Sequence, residues 1–313
     1  MSTSGPRNHP QRRQPHRQRP VKRPGKSLSK WLLGLIALAV LVFGAFHYSW
    51  LYGLPFNRSS PSKNTTKVAG VVKPTLDSSQ AAAMATQIND IITAHPDMDI
   101  GVAIEDLNND KPYKYGISDP FIAASISKIL TATLFLHEVE NGQQTLSEDV
   151  GGYTAQYELQ QLIEVSDDDA WANLNDLLTH DGLLAYAQQI GLTSYDSDQN
   201  TLTASDISLL LGKLYKNELL NTADTKLLMT YMHDANYDGY IVASVPTGVK
   251  VYHKIGFLDD RVHDAAIIDN GKHPYVLVIF TKMDDDGDYD NTEGHQIFAA
   301  ITTATVQAFL VAS

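Results

Sequence analysis

The stretch FIAASISKILTATLFL, Phe121 to Leu136, carries a single charge in sixteen residues. A helix that is apolar on every side has to be enclosed by protein. This one sequence feature therefore calls for a domain large enough to wrap a predicted helix over 121–140. With 313 residues, 43% of them apolar, the chain has the material for such a core. The exception within the stretch is Lys128. A buried ammonium is costly unless it is paired or gives up its proton, and burial itself lowers the lysine pKa. Ser125 stands one turn earlier on the same helical face. The start of the helix also offers backbone N–H groups to a developing oxyanion. A neutral amine, a hydroxyl and oxyanion donors within one turn suit nucleophilic acyl transfer. Taken alone, Ser-x-x-Lys also arises on ordinary helices whose lysine snorkels to solvent.

The flanking patterns supply the enclosure. Ala82, Ala85, Ile88 and Ile92 recur at helical spacing over 78–94, and Ile100, Val102 and Ile104 alternate as in a strand, with 111–117 as its hairpin partner. Helices are predicted at 155–165, 168–178, 182–190, 204–216 and 222–234. Strands follow at about 249–256, 262–269 and 274–282, and then a helix near 293–311. The order of helix, two strands, many helices, three strands and helix predicts an α/β fold of the α+β kind. An antiparallel sheet built from both chain ends is flanked by helices, with an all-helical subdomain inserted between them. A cleft between sheet and insertion is the expected place for a site.

Charge divides the chain. Residues 1–30 hold nine Lys or Arg and no acid, leaving 15 basic against 36 acidic residues in the remainder. An acidic globular part repels a phosphate backbone, so nucleic acid is not an expected partner. From Trp31 to Phe56 there is no Asp, Glu, Lys or Arg, and Trp31, Tyr48, Trp50 and Tyr52 flank the run as interfacial anchors would. We read 1–30 as a basic cytoplasmic tail, 31–54 as a transmembrane anchor, 55–77 as a linker and 78–313 as an extracytoplasmic catalytic domain. A cleaved signal peptide is the rival for 31–54, and its bulky aromatic end argues against cleavage. There is no cysteine, which excludes disulfides and thiolate chemistry. No metal-ligand cluster or phosphate-binding glycine loop is found, so no cofactor is expected.

Two further fragments stand in order after Ser125-x-x-Lys128. They are Ser166-Asp167-Asp168, at a turn into a helix, and Lys254-Ile255-Gly256, at the end of a strand. With them the chain resembles the serine β-lactamase and penicillin-binding protein superfamily, nearest the class A β-lactamases, whose motifs are Ser-x-x-Lys, Ser-Asp-Asn and Lys-Thr-Gly. The resemblance covers roughly 78–313. It implies Ser125 as acyl-forming nucleophile, Lys128 as base or proton relay, and Ser166 as proton donor to the leaving nitrogen. It also implies Lys254 as a positive charge near the relay and the substrate carboxylate. Backbone N–H groups of Ser125 and Phe257 would form the oxyanion hole. Asp168, Ile255, Gly256 and Phe257 would line the substrate.

Three departures qualify it. Asp168 replaces the motif asparagine and adds negative charge beside the lysines. Ile255 replaces the motif threonine and removes a hydroxyl. The family's Glu-x-x-Leu-Asn loop is here GLTSYDSDQNTLTASD, without glutamate, and Asp196 or Asp198 is a short substitute. An acyl-enzyme would then form and persist. Three functions remain open: a hydrolase of an amide such as a β-lactam, a penicillin-binding peptidase acting on cell-wall peptides, and a non-catalytic binding module of the same fold. Oligomeric state is not legible. The histidines 253 and 263 are candidates for the cleft, with structural roles as the plainer alternative; Arg261 is a candidate contact for a substrate carboxylate, with a solvated turn residue as the plainer one; and Trp171 is expected to pack the helical subdomain.

Overall fold

The computed structural model describes residues 73–236, 239–283 and 289–311. The predicted basic tail, the predicted span at 31–54 and most of the predicted linker lie outside the described residues. Among the described residues no helix is long and apolar enough to cross a membrane.

The described chain opens with α1, Ser78–Ala94, whose start is fixed by a capping box. The Asp77 carboxylate accepts from Ser79 N and Gln80 N, and the Gln80 side chain returns a bond to Asp77 N. Just before it, Leu76 is buried and Pro74 O accepts from Asn108 Nδ2 at 2.7 Å, so the last linker residues pack on the domain. Strands β1 (Met98–Asp106) and β2 (Lys111–Gly116) form a hairpin. After the helical insertion come β7 (Lys250–Leu258), β8 (Arg261–Asp269) and β9 (Tyr275–Met283). The last helix, α8, spans Asn291–Val306 and continues as a π turn to Val311. The five strands make one antiparallel sheet in the order β2-β1-β9-β8-β7, so the two chain ends meet at the β1–β9 pair.

Both faces of the sheet are covered, which is why β9 reads as a continuous apolar run. Tyr275, Leu277 and Ile279 join the cluster beneath α1 and α8. Val276, Val278 and Phe280 join the larger cluster beneath the helical insertion. The outer strand β2 is largely exposed and carries Lys111, Pro112 and Lys114.

The insertion contains α2 (Lys128–Glu140), α3 (Ala155–Gln160, extended by a π turn to Val165), α4 (Asp168–Leu178), α5 (His180–Ile190), α6 (Ala204–Tyr215) and α7 (Thr222–His233). Short two-residue strands β3 (Phe121–Ile122), β4 (Asp149–Val150), β5 (Tyr153–Thr154) and β6 (Thr201–Leu202) punctuate it. The first nine residues of α2, Lys128 to Leu136, are all buried, as expected of a helix apolar on every side. The predicted start at 121 is corrected, however. Phe121 and Ile122 pair with Leu202 and Thr201, Ala124 turns through a left-handed φ of 48°, and Ala124–Ser127 form a 3-10 turn before α2 begins. A long-range strand pairing here outweighs the local helical pattern.

The edge strand β7 lies directly against that 3-10 turn. A Cβ on Gly256 would come within 2.9 Å of Ser125 N and 3.0 Å of Ala123 O and Ile126 N, so only glycine allows this approach of backbone to backbone. Gly256→Ala is expected to part the strand from the turn and cost about 1–3 kcal/mol, read as a lowered urea midpoint.

Candidate active site

Three segments converge at the edge of β7: the 3-10 turn with Ser125, the junction of the π turn with α4 that holds Ser166, and Lys254 on β7 itself. Ser166 is a left-handed residue, φ 61° and ψ 36°, at the point where the π turn ends. Such backbone is costly for a residue with a Cβ and is tolerated where the surroundings fix it. Here the fixing is visible on both sides. The Ser166 N–H reaches Gln161 O, and Asp167, the next residue, caps α4 by accepting from Ala170 N at 2.8 Å.

Both predicted lysines are buried, Lys128 at 0% and Lys254 at 1% exposure. They meet at Ser166. Lys254 Nζ donates to Ser166 Oγ at 2.8 Å and to Ile255 O at 3.0 Å. Lys128 Nζ donates to Ser166 O at 2.7 Å and lies 3.5 Å from Ser166 Oγ. It also forms an ion pair with Asp168 Oδ1 at 2.6 Å, although the Asp168 side chain is itself 86% exposed. Among the described residues no hydrogen bond joins Lys128 to Ser125, so the expected amine-to-nucleophile contact is replaced by one to Ser166 and Asp168. The aspartate at the motif's third position contributes a full negative charge to this contact, which an asparagine would not.

Burial pushes the Lys128 amine below its ordinary pKa, against the opposing hydrogen bond and charge of Asp168 and the charge of Asp167. Burial, joined by the positive charge of Lys128, lowers Lys254 to about 7. Trp171 closes this region. Its ring centroid is 5.5 Å from Lys128 Nζ, and its Nε1 donates to Thr131 Oγ1, which donates in turn to Asn175. The expected packing role of Trp171 thus carries a contact with the lysine as well.

The residues of the third motif divide between the two faces of the sheet. Lys254 and Gly256 face the insertion, whereas Ile255 is 5% exposed within the cluster beneath α1 and α8. The expectation that Ile255 lines a substrate is corrected on this ground, because strand alternation turns it into the core. Phe257 follows at 61% exposure, an uncovered ring beside Gly256. His253 is also on the core face, with Nδ1 3.1 Å from Asp264. Arg261 forms a two-pronged pair with its neighbour Asp260 and is buried rather than solvated.

Two structural supports of the Ser125 turn were not singled out for those roles by the sequence. Asn200 Nδ2 donates to Ala124 O at 3.0 Å, and its backbone O accepts from Ala123 N at 2.8 Å. Among the described residues its buried Oδ1 has no hydrogen-bond partner. The signal was present, since Asn200 is four residues after Asp196, the spacing of the family's Glu-x-x-Leu-Asn. Asp196 is otherwise engaged, accepting from Asp198 N and Gln199 N at 2.9 Å each. Asp198 lies 3.5 Å from His180 Nδ1 on the exposed side. The second support is His263, fully buried, whose Nε2 donates to Ile122 O at 2.9 Å. Its Nδ1 lies 2.8 Å from Val262 O and 3.2 Å from the Thr281 amide, and Val262 O also accepts from the Thr281 hydroxyl at 2.6 Å. Burial lowers His263 to about 4.

No group of three or more His, Cys, Asp or Glu residues suited to a metal ion occurs among the described residues. What the arrangement offers is a hydroxyl shared by two buried amines, able to pass protons between them, with the backbone of the Ser125 turn held against the same strand.

Solved structures similar to this chain share its architecture. They include PBP-A, at 22% identity and TM-score 0.66 over 72% of this chain and 95% of that one. They also include an ancestral (GNCA) class A β-lactamase, at 20% identity and TM-score 0.67 over 72% and 100%. A β-lactamase from Desulfarculus baarsii matches at 20% identity and TM-score 0.67, over 74% and 98%. No curated protein matches in sequence. The fold is that of the class A β-lactamase-like serine hydrolases. The sequence pattern of the Beta-lactamase enzyme family matches residues 83–309, and the chain belongs to that family. It is accordingly a serine hydrolase of the amide-cleaving kind.

The His263 shift sets a sign for acid stability. Below pH 6.5 the unfolded chain binds a proton at this histidine that the folded chain refuses until about pH 4, so stability falls as pH drops through that window. Between pH 7 and 5 the contribution is about 2 kcal/mol. His263→Gln is expected to flatten the drop by that amount in urea titrations at the two pH values.

Proposed function

We propose that the chain is a membrane-anchored, extracytoplasmic serine hydrolase that opens an amide such as a β-lactam through an acyl intermediate on Ser125. The observation that carries this reading is the placement of Ser166 Oγ between Lys254 and Lys128, next to a turn that β7 grips at Gly256. In this reading Ser125 Oγ bonds to the carbonyl carbon, and the N–H groups of Ser125 and Phe257 hold the oxyanion. Ser166 hands a proton to the leaving nitrogen. The two lysines flank the Ser166 hydroxyl that serves the leaving nitrogen, and Phe257 offers an apolar surface at the mouth. A neighbour of the same fold, the L158E mutant of PBP-A, at 21% identity, is described as an acyl-enzyme complex with penicillin-G.

Release of the acyl group is the slow step. The loop has no glutamate, and the Asp196 carboxylate is spent on two backbone amides of its own turn. That favours a second reading with the same first step, a penicillin-binding peptidase acting on cell-wall peptides. The anchor rests on the uncharged run 31–54 behind a basic tail.

Full-length protein exposed to a fluorescent penicillin is expected to become covalently labelled, and Ser125→Ala to abolish the label. The bond is expected to outlast many minutes of chase with unlabelled penicillin. Prompt loss of label would restore the lactamase reading over the peptidase, and no label at any concentration would defeat both. In cells, the full chain is expected to resist extraction by alkaline carbonate, and a chain lacking residues 31–54 to be released by it. Equal release of both would remove the anchor.

A further inference from the structure

The two lysines around Ser166 are not equivalent. Lys128 has a carboxylate at 2.6 Å, whereas Lys254 forms no ion pair among the described residues and leans on a hydroxyl and a backbone carbonyl. Both amines are out of water, and both point at the same serine. Two positive charges sharing one hydroxyl in such a place repel each other strongly, and the cheaper of the two to neutralise is the one without a counter-ion. We propose that Asp168 keeps Lys128 the more firmly protonated of the two amines and passes the task of accepting the nucleophile's proton to Lys254, with Ser166 as the relaying hydroxyl. This rests on the acyl-serine reading above and reverses the assignment that the sequence motifs imply.

The surroundings of Lys254 agree. The charges that act on it are Lys128 on α2, Asp168 on α4 and Asp264 on β8, with His263 of β8 paired across from Gly256 and His233 of α7 beside Tyr252. Asp264 is occupied on the opposite sheet face by His253 Nδ1 and Ile241 N, both at 3.1 Å. His263 is held neutral by burial, and His233 Nδ1 lies 2.9 Å from Val251 O. The proton balance is closed. As Ser125 Oγ bonds to the carbonyl carbon, its proton passes to Ser166 Oγ, and Ser166 releases its own to the lone pair of Lys254 Nζ. When the C–N bond breaks, the ammonium of Lys254 returns one proton through Ser166 to the leaving nitrogen. Lys128 stays charged throughout and gives or takes none.

The proposal is tested on the full-length chain by the pH dependence of penicillin acylation and by lysine 13Cε NMR titration, with resonances assigned by loss of signal in Lys128→Arg and Lys254→Arg. The acylation rate is expected to climb with pH through a midpoint near 7, the Lys254 resonance to titrate at that midpoint, and the Lys128 resonance to titrate only above it. Lys254→Arg, which cannot deprotonate, is expected to slow acylation at least 100-fold. Adding Asp168→Asn to it, which frees Lys128, is expected to recover at least tenfold. A Lys128 resonance that titrates first, acylation within threefold of the parent in Lys254→Arg, or no recovery in the double variant would overturn the assignment. The NMR titration needs no substrate, so it decides the lysine roles even if penicillin fails to label the chain and the acyl-serine reading falls.

Discussion

The approach of β7 to the turn carrying Ser125 is made by main chain against main chain, and the rest of the site is hung on it. With Gly256 against Ser125 N, the strand is held where Lys254, two residues earlier on the same face, reaches Ser166. Ser166 in turn is fixed by the end of a π turn and by the cap of α4, which also sets Asp168 over Lys128. Sheet, turn and helical insertion are thereby brought into one cluster by a contact that tolerates no side chain. The large apolar body of the protein, with both sheet faces covered, acts as the frame that makes the contact rigid.

Much of this architecture is legible from local patterns. α1 is delimited by Asp77 and Gln80, whose side chains close the capping box, and the alternation in β1 and the apolar run of β9 reflect one strand facing two cores. The element order alone places the helical insertion between two strand groups. The three motifs find Ser125, Lys128, Ser166, Lys254 and Gly256, all of which lie in or beside one cluster.

What was not legible depends on partners far away in the chain. The segment 121–127 has helical composition, but β6, some eighty residues on, takes its first two residues into a strand pair. Asn200 stands at a motif spacing from Asp196, but what it holds, the carbonyl of Ala124 some seventy residues earlier, is set by the fold. Ile255 occupies a motif position yet faces the core, because the strand's alternation and not the motif decides its direction. The presence of Asp168 was readable, but its preference for Lys128 over solvent required the fold of the Ser166 turn.

The sheet has two edge strands among the described residues, β7 against the Ser125 turn and β2 at the opposite margin, away from that turn. There Lys111, Pro112 and Lys114 place two charges and a missing amide donor along the rim. Like-charged rims repel, and a proline interrupts the ladder an incoming chain would need. Copies concentrated together are thus discouraged from stitching edge to edge into aggregates, a safeguard written into six residues far from any chemistry.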